Sequence, residues 1–181
     1  SMGVFVKTNI DGTRKLLELV VEESGEREIS FVHVSTDEVY GELLPNEPPF
    51  TENSKIDPRN PYSVTKAASD MFVNSFVNTY GINACITRCS NNYGPNQHHE
   101  KLIPKMIERI INKEELPIYG DGTQIRDWIF VEDHASGLIS AMWKLTEHEI
   151  TSGEVFNFGS SNEIKNIQLV TELLTLMGGS E

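Results

Sequence analysis

Apolar positions recur at helical spacing near the start of the chain. Ile10, Leu16, Leu17, Val20 and Val21 share one stripe, with Lys15, Glu18 and Glu22 turned away. The pattern predicts a helix over 8–23. It then shortens to I-S-F-V-H-V-S at 29–35, a β-branched run that predicts a strand. Residues 41–61 follow neither period and hold Pro45, Pro48, Pro49, Pro58 and Pro61, so a long functional or mobile loop is expected. Asn60 and Pro61 are a helix start, a capping amide and then proline at the first helical position. That helix is expected to reach Tyr80, where Gly81 stops it. I-N-A-C-I-T-R-C-S predicts a strand, N-N-Y-G-P-N-Q-H-H-E a loop, and 102–112 a helix with Pro104 in its first turn. L-P-I-Y-G-D-G-T-Q-I-R-D-W-I-F-V reads as strand, turn, strand. A helix over 132–146 with Asp133 as cap, a strand over 153–159 and a last helix with Asn166 as a possible cap complete the pattern.

Alternating helices and apolar strands predict a mostly parallel α/β sheet. A nucleotide-binding sheet of that kind usually carries G-x-G-x-x-G after its first strand. No such run occurs in these 181 residues, and the pattern opens on a helix.

Composition narrows the function classes. Net charge is −12, from 15 basic and 27 acidic residues, which argues against a phosphate-backbone binder but allows a small phosphorylated ligand. Cys85 and Cys89 are the only cysteines, without a second pair or a His at metal spacing, so no metal site is expected and a reducing cytoplasm suits them. No apolar run is long enough to span a bilayer, and the opening S-M-G-V-F-V-K lacks the features of a signal peptide.

Two stretches carry chemistry: S-T-D-E-V-Y-G at 35–41 and N-P-Y-S-V-T-K-A-A-S-D at 60–70. Tyr62 and Lys66 lie four apart, hence on one helix face. An ammonium beside a phenol favours the phenolate, which is a usable base for an alcohol proton. Y-x-x-x-K alone is common by chance, and two residues on a partly exposed helix are its plain reading. Here it follows a strand ending in Thr36, Asp37 and Glu38, and strand ends are where such sheets bind ligands. An exposed loop start is the plain reading of those acids without that context.

Together these stretches resemble the extended short-chain dehydrogenase/reductase family of NAD-dependent epimerases and dehydratases. The likeness continues through N-N-Y-G-P, K-L-I-P, L-P-I-Y-G-D-G-T-Q-I-R-D-W-I-F-V-E-D-H-A and V-F-N-F-G, over nearly the whole chain. The adjacent acids are similar to nucleotide-sugar 4,6-dehydratases, above all those acting on dTDP-glucose. The resemblance implies a catalytic set of Thr36, Asp37, Glu38, Tyr62 and Lys66. Glu38 would take the C5 proton once C4 is a ketone, and Asp37 would protonate the departing C6 hydroxyl. Thr36 would bond the C4 hydroxyl. The two acids need opposite protonation states for those jobs.

By the same resemblance Tyr62, Lys66 and Asn92 would contact NAD. Asn91, Lys101, Leu102, Pro117, Tyr119, Arg126 and Asn166 would line the nucleotide-sugar pocket, with the planar Arg126 on the diphosphate. Lys101 as a solvated lysine, Tyr119 as a core aromatic and Asn166 as a cap are the plain alternatives.

The implied fold is the C-terminal part of a Rossmann-like parallel sheet flanked by helices, plus most of a small α/β substrate-binding lobe. Residues 1–95 are expected in the NAD-binding domain and 96–181 mostly in the lobe, with strand 153–159 returning to the main sheet. The glycine turn is expected ahead of Ser1, so the chain alone is expected to self-associate through an open strand edge and to be inactive or nearly so. A homodimer through helices 8–23 and 61–80 is implied. An epimerase or decarboxylase, a non-catalytic sugar-nucleotide binder, and uridine or guanosine as the base remain open.

Overall fold

The computed structural model describes residues 2–43, 47–118 and 120–178. In chain order the elements are α1 (Met2–Phe5), a π-helical stretch (Val6–Asp11), α2 (Gly12–Glu23), β1 (Ser30–Thr36), a 3-10 turn (Asp37–Tyr40) and α3 (Pro61–Tyr80). Then come β2 (Asn83–Cys89), β3 (Asn91–Tyr93), α4 (Leu102–Asn112), β4 (Ile125–Phe130), α5 (Val131–Thr146), β5 (Val155–Phe158), β6 (Glu163–Lys165) and α6 (Asn166–Leu176). They form two compact units. One comprises residues up to Cys89 with His134–Phe158, the other Ser90–Asp133 with residues from Gly159 onward.

The first unit is built on a parallel sheet in the order β1-β2-β5. Ser30 pairs with Asn83 and Thr36 with Cys89, so β1 and β2 run level to their carboxyl ends. β2 is central and buried on both faces from Ala84 to Arg88, and its polar Thr87 and Arg88 are buried with their partners. On one face Ala84 and Ile86 pack with Leu17 and Val20 of α2 and Val73 of α3. On the other, Cys85 packs with Ala141 and Leu145 of α5. That second contact sorts α5 from His134 onward with the first unit, although it lies within residues 96–181.

The second unit holds β4 between β3, which is parallel to it, and β6, which is antiparallel. Asp127 organises it: its carboxylate accepts from the backbone N–H groups of Ser160 and Asn162, at 2.9 and 2.8 Å, and from the Ser160 hydroxyl. These bonds hold the Asp127 pKa below the usual carboxylate range against the opposing effect of its burial.

Several expectations change. The first helix begins at Met2, not Thr8, because the π-helical stretch carries it through 6–11. The strand expected just before the Gly-Asp-Gly turn does not form at the described residues 116–118. Pro117 lacks a ladder donor, and Gly120 and Gly122 take φ of 66° and 72°. The N-N-Y segment, expected as loop, is β3, and E-I-K is β6. Asp133 lies inside the first turn of α5 instead of capping it. Lys165 holds the cap position of α6, whose cap makes no side-chain bond, so Asn166 is its first helical residue.

Candidate active site

β1 ends at Thr36, and the chain turns at once into the 3-10 turn that carries Asp37 and Glu38. Thr36 is its cap: the hydroxyl accepts the Glu38 N–H and donates to Asp37 Oδ1, both at 3.3 Å. Consecutive side chains on a strand would face opposite ways, so this turn is what redirects the two acids. Gly41 closes it at φ +95°, where a Cβ would lie 2.4 Å from the Asp57 carbonyl. Only glycine fits that position.

α3 brings the other half. Its cap, Asn60, accepts the Ser63 N–H at Oδ1, and Ser63 Oγ receives the Asn60 N–H in return. The same amide donates from Nδ2 to Glu38 Oε2 at 2.8 Å. The helix start therefore grips the second acid of the turn. Tyr62 and Lys66 follow, both half-buried. The Tyr62 ring meets Phe5 edge-on at 5.6 Å. Lys66 Nζ donates to the Val34 carbonyl at 2.6 Å.

The electrostatics correct one expectation. The Tyr62 pKa is raised, not lowered: burial pushes it up first, then Glu38, Cys89 and Asp37. Lys66 is itself lowered by burial, with Asp70 and Cys89 opposing that. An ammonium bonded to a backbone carbonyl does not offset the burial of the phenol together with its two nearby carboxylates. Both acids act on Tyr62, which places the turn and the helix in one electrostatic site.

Thr36, Asp37, Glu38, Tyr62 and Lys66 are thus gathered in the first unit. The other positions lie in the second. Asn91 pairs with Trp128 on β3–β4. Asn92 donates to the Ser90 carbonyl and accepts from Gln97. Lys101 is the exposed cap residue of α4 and Leu102 its first helical residue. Pro117 is half-buried. Arg126 is exposed, with one guanidinium nitrogen on the Ile125 carbonyl. Asn166 Oδ1 is buried without a hydrogen bond among the described residues. Tyr119 lies outside the described residues. Among the described residues no group of three or more His, Cys, Asp or Glu could hold a metal.

The family model for GDP-mannose 4,6 dehydratase matches residues 3–180. The chain belongs to that dehydratase family. It is 46% identical to the low-salt glycan biosynthesis protein Agl12 of Haloferax volcanii over 98% of this chain and 54% of that protein. It is 47% identical to a dTDP-glucose 4,6-dehydratase of Haemophilus influenzae over 96% of this chain and 52% of that protein. A crystal structure of dTDP-glucose 4,6-dehydratase from Bacillus anthracis in complex with NAD superposes with a TM-score of 0.87 at 43% identity. It covers 96% of this chain and 53% of that one. The chain spans about half the length of the curated relatives it matches. Among the described residues no helix of this dehydratase-family chain is long and apolar enough to cross a membrane.

Sequence reasoning marked Asn60 as a cap but missed its bond to Glu38. It also missed Asp70 and Arg88, whose buried charges meet only in three dimensions. The one signal available was spacing: Asp70 follows Lys66 by four, which puts both on one helix face.

Proposed function

We propose that the protein is a nucleotide-sugar 4,6-dehydratase that turns dTDP-glucose into its 4-keto-6-deoxy product, with NAD as resident cofactor. The observation that carries this is the bond from Asn60, at the start of the Tyr62 helix, to Glu38 at 2.8 Å, which holds the Asp37–Glu38 turn against that helix, with both carboxylates adding to the burial that raises Tyr62. Epimerisation needs one base and a hydride acceptor. Dehydration needs in addition an acid for the leaving hydroxyl and a base for C5, and the turn supplies two carboxyls.

The phenol and ammonium of Tyr62 and Lys66 suit the hydroxyls of a ribose, and the Asn92 amide, in the second unit, suits a carboxamide. A glycine-rich pyrophosphate turn is not in this sequence. When bound, NAD supplies the hydride acceptor for C4 and the donor for C6. Tyr62 takes the C4 hydroxyl proton, with Thr36 bonding the same oxygen. Glu38, held by Asn60, removes the C5 proton, and Asp37 protonates the C6 hydroxyl as it leaves. Arg126, Asn91, Lys101, Leu102, Pro117, Tyr119 and Asn166 bind the nucleotide sugar. Because Tyr62 is raised, turnover rises with pH through the alkaline range, and Tyr62→Phe abolishes that rise.

We also propose a cytoplasmic setting, which suits two cysteines that form no disulfide. A homodimer through α2 and α3 is supported by the exposure of Leu16, Leu19, Val64 and Met71.

The test is a mass spectrum of dTDP-glucose after incubation with the chain and NAD. Loss of water supports the reading, and Asp37→Asn and Tyr62→Phe then lower the rate about 100-fold or more. An epimerised sugar, unchanged in mass and read by proton NMR, or turnover indifferent to Asp37→Asn, points to the epimerase reading. Nucleotide-sugar binding with no product points to a binding module.

A further inference from the structure

Below the proposed catalytic residues lies a buried charged network in the first unit. Asp70, on α3, is 3% exposed; Arg88, on β2, is 5%; His33, on β1, is 6%. Arg88 Nε donates to Asp70 Oδ2 at 3.0 Å. The same guanidinium donates to the Tyr40 hydroxyl at 2.8 Å and lies 4.8 Å from that ring's centroid. Tyr40 in turn donates to Asn157 Oδ1 at 2.7 Å. One cation thus ties the helix bearing Tyr62 and Lys66 to the turn bearing Asp37 and Glu38, whose last residue is Tyr40.

Stability alone is a weak reason for such a pair. Desolvating two charges costs several kcal/mol in general, and well-packed apolar replacements are often as stable. The pair also leaves charge unused. Asp70 Oδ1 makes no hydrogen bond among the described residues. His33 Nε2 faces it at 3.4 Å, close enough for an ion pair but not aligned as a bond. Asp70 is one helical turn past Lys66 on the same face. The groups acting on Lys66 are Asp70 from its own helix, the Val34 carbonyl from β1 and Cys89 from β2.

We propose that Asp70, gripped by Arg88, is a positioning residue that keeps Lys66 in the ammonium form and, through Arg88 and Tyr40, fixes the acid-bearing turn to the helix of Tyr62. The proposal rests on the catalytic reading of Lys66 given above. A neutral amine could not draw the Tyr62 phenol toward its phenolate, so Asp70 acts on the reaction without touching substrate. Burial opposes the ammonium, and Asp70 is the largest influence against burial.

The test follows Lys66 itself. The chain is labelled with 13Cε-lysine, and the Lys66 signal is identified by its loss in Lys66→Arg. Its titration is then read by NMR in the parent, in Asp70→Glu and in the double variant Asp70→Asn with Arg88→Gln. The double variant leaves no buried charge without its partner. The expected result is a Lys66 midpoint about one pH unit lower in the double variant and close to the parent in Asp70→Glu. An unmoved midpoint in a folded double variant overturns the proposal. Loss of near-ultraviolet circular dichroism in both Asp70→Glu and the double variant also overturns it, because the pair then serves folding and not Lys66. The functional reading fails separately: full turnover by Tyr62→Phe would sink that reading while leaving the Lys66 titration as measured.

Discussion

Asn60 uses both ends of one amide, accepting the Ser63 N–H at 2.9 Å and donating to Glu38 at 2.8 Å. Substitutions separate the two uses. Asn60→Ala loses both and is expected to lower stability by about 1 kcal/mol in a urea titration. Asn60→Asp keeps the cap acceptor but sets a second carboxylate against Glu38. Its urea midpoint should rise with added salt more steeply than the parent's, as screened like charges require. Cys85 is fully buried, and its thiol is pushed up to about 11, first by burial and then by Glu154. The unfolded thiol ionises from about pH 9 while the folded one does not. The stability tied to this proton is therefore present below about pH 9 and lost between there and about 11. Urea midpoints at about pH 8 and about pH 10.5 should fall less in Cys85→Ala than in the parent. The sequence made the cap and the thiol legible as local features. It could not give the Glu38 bond, or the Arg88–Asp70 pair, because both join residues 18 or more positions apart.

At the level of elements, α3 was the most legible piece, since Asn60, Pro61 and Gly81 mark its ends by local chemistry. β3 and β6 were not, because three-residue strands offer no period to read and exist only through pairing with β4. The strand expected around Pro117 failed for the converse reason: its apolar residues matched the pattern, but proline and two left-handed glycines opposed a ladder. The α2–α3 contact rests on Leu17, Val20 and Val73, and Val73 is 0% exposed. Leu17→Ala should cost about 2–5 kcal/mol by urea unfolding, through the cavity it leaves. The π-helical stretch just before α2 also has a specific partner, since Asn9 donates to Thr65 and its carbonyl accepts from Ser69. A π turn holds one residue more than an α turn needs. Deleting one residue from 6–11 should therefore regularise the helix and turn Phe5 away from Tyr62, seen as a changed Tyr62 ring signal by NMR.

For the whole molecule, Leu16 is 53% exposed and Met71 61%, beside the exposed Leu19 and Val64 on the same two helices. If these faces join two copies, sedimentation at micromolar concentration gives a dimer, and Leu16→Glu with Met71→Glu gives a monomer. A parent that sediments as a monomer would sink the dimer. The parallel α/β character was legible from alternating helices and strands, and the family from motifs spread along the chain. The placement of α5 in the first unit was not, because it depends on which face that helix covers. The chain passes from one unit to the other after Cys89, after Asp133 and after Phe158. Neither unit is one continuous stretch of gene. A single crossover between two related genes cannot exchange a whole unit, and only paired exchanges at matched points could do so. Descendants of this chain are thus expected to change ligand preference by point substitution more readily than by trading a unit as a cassette.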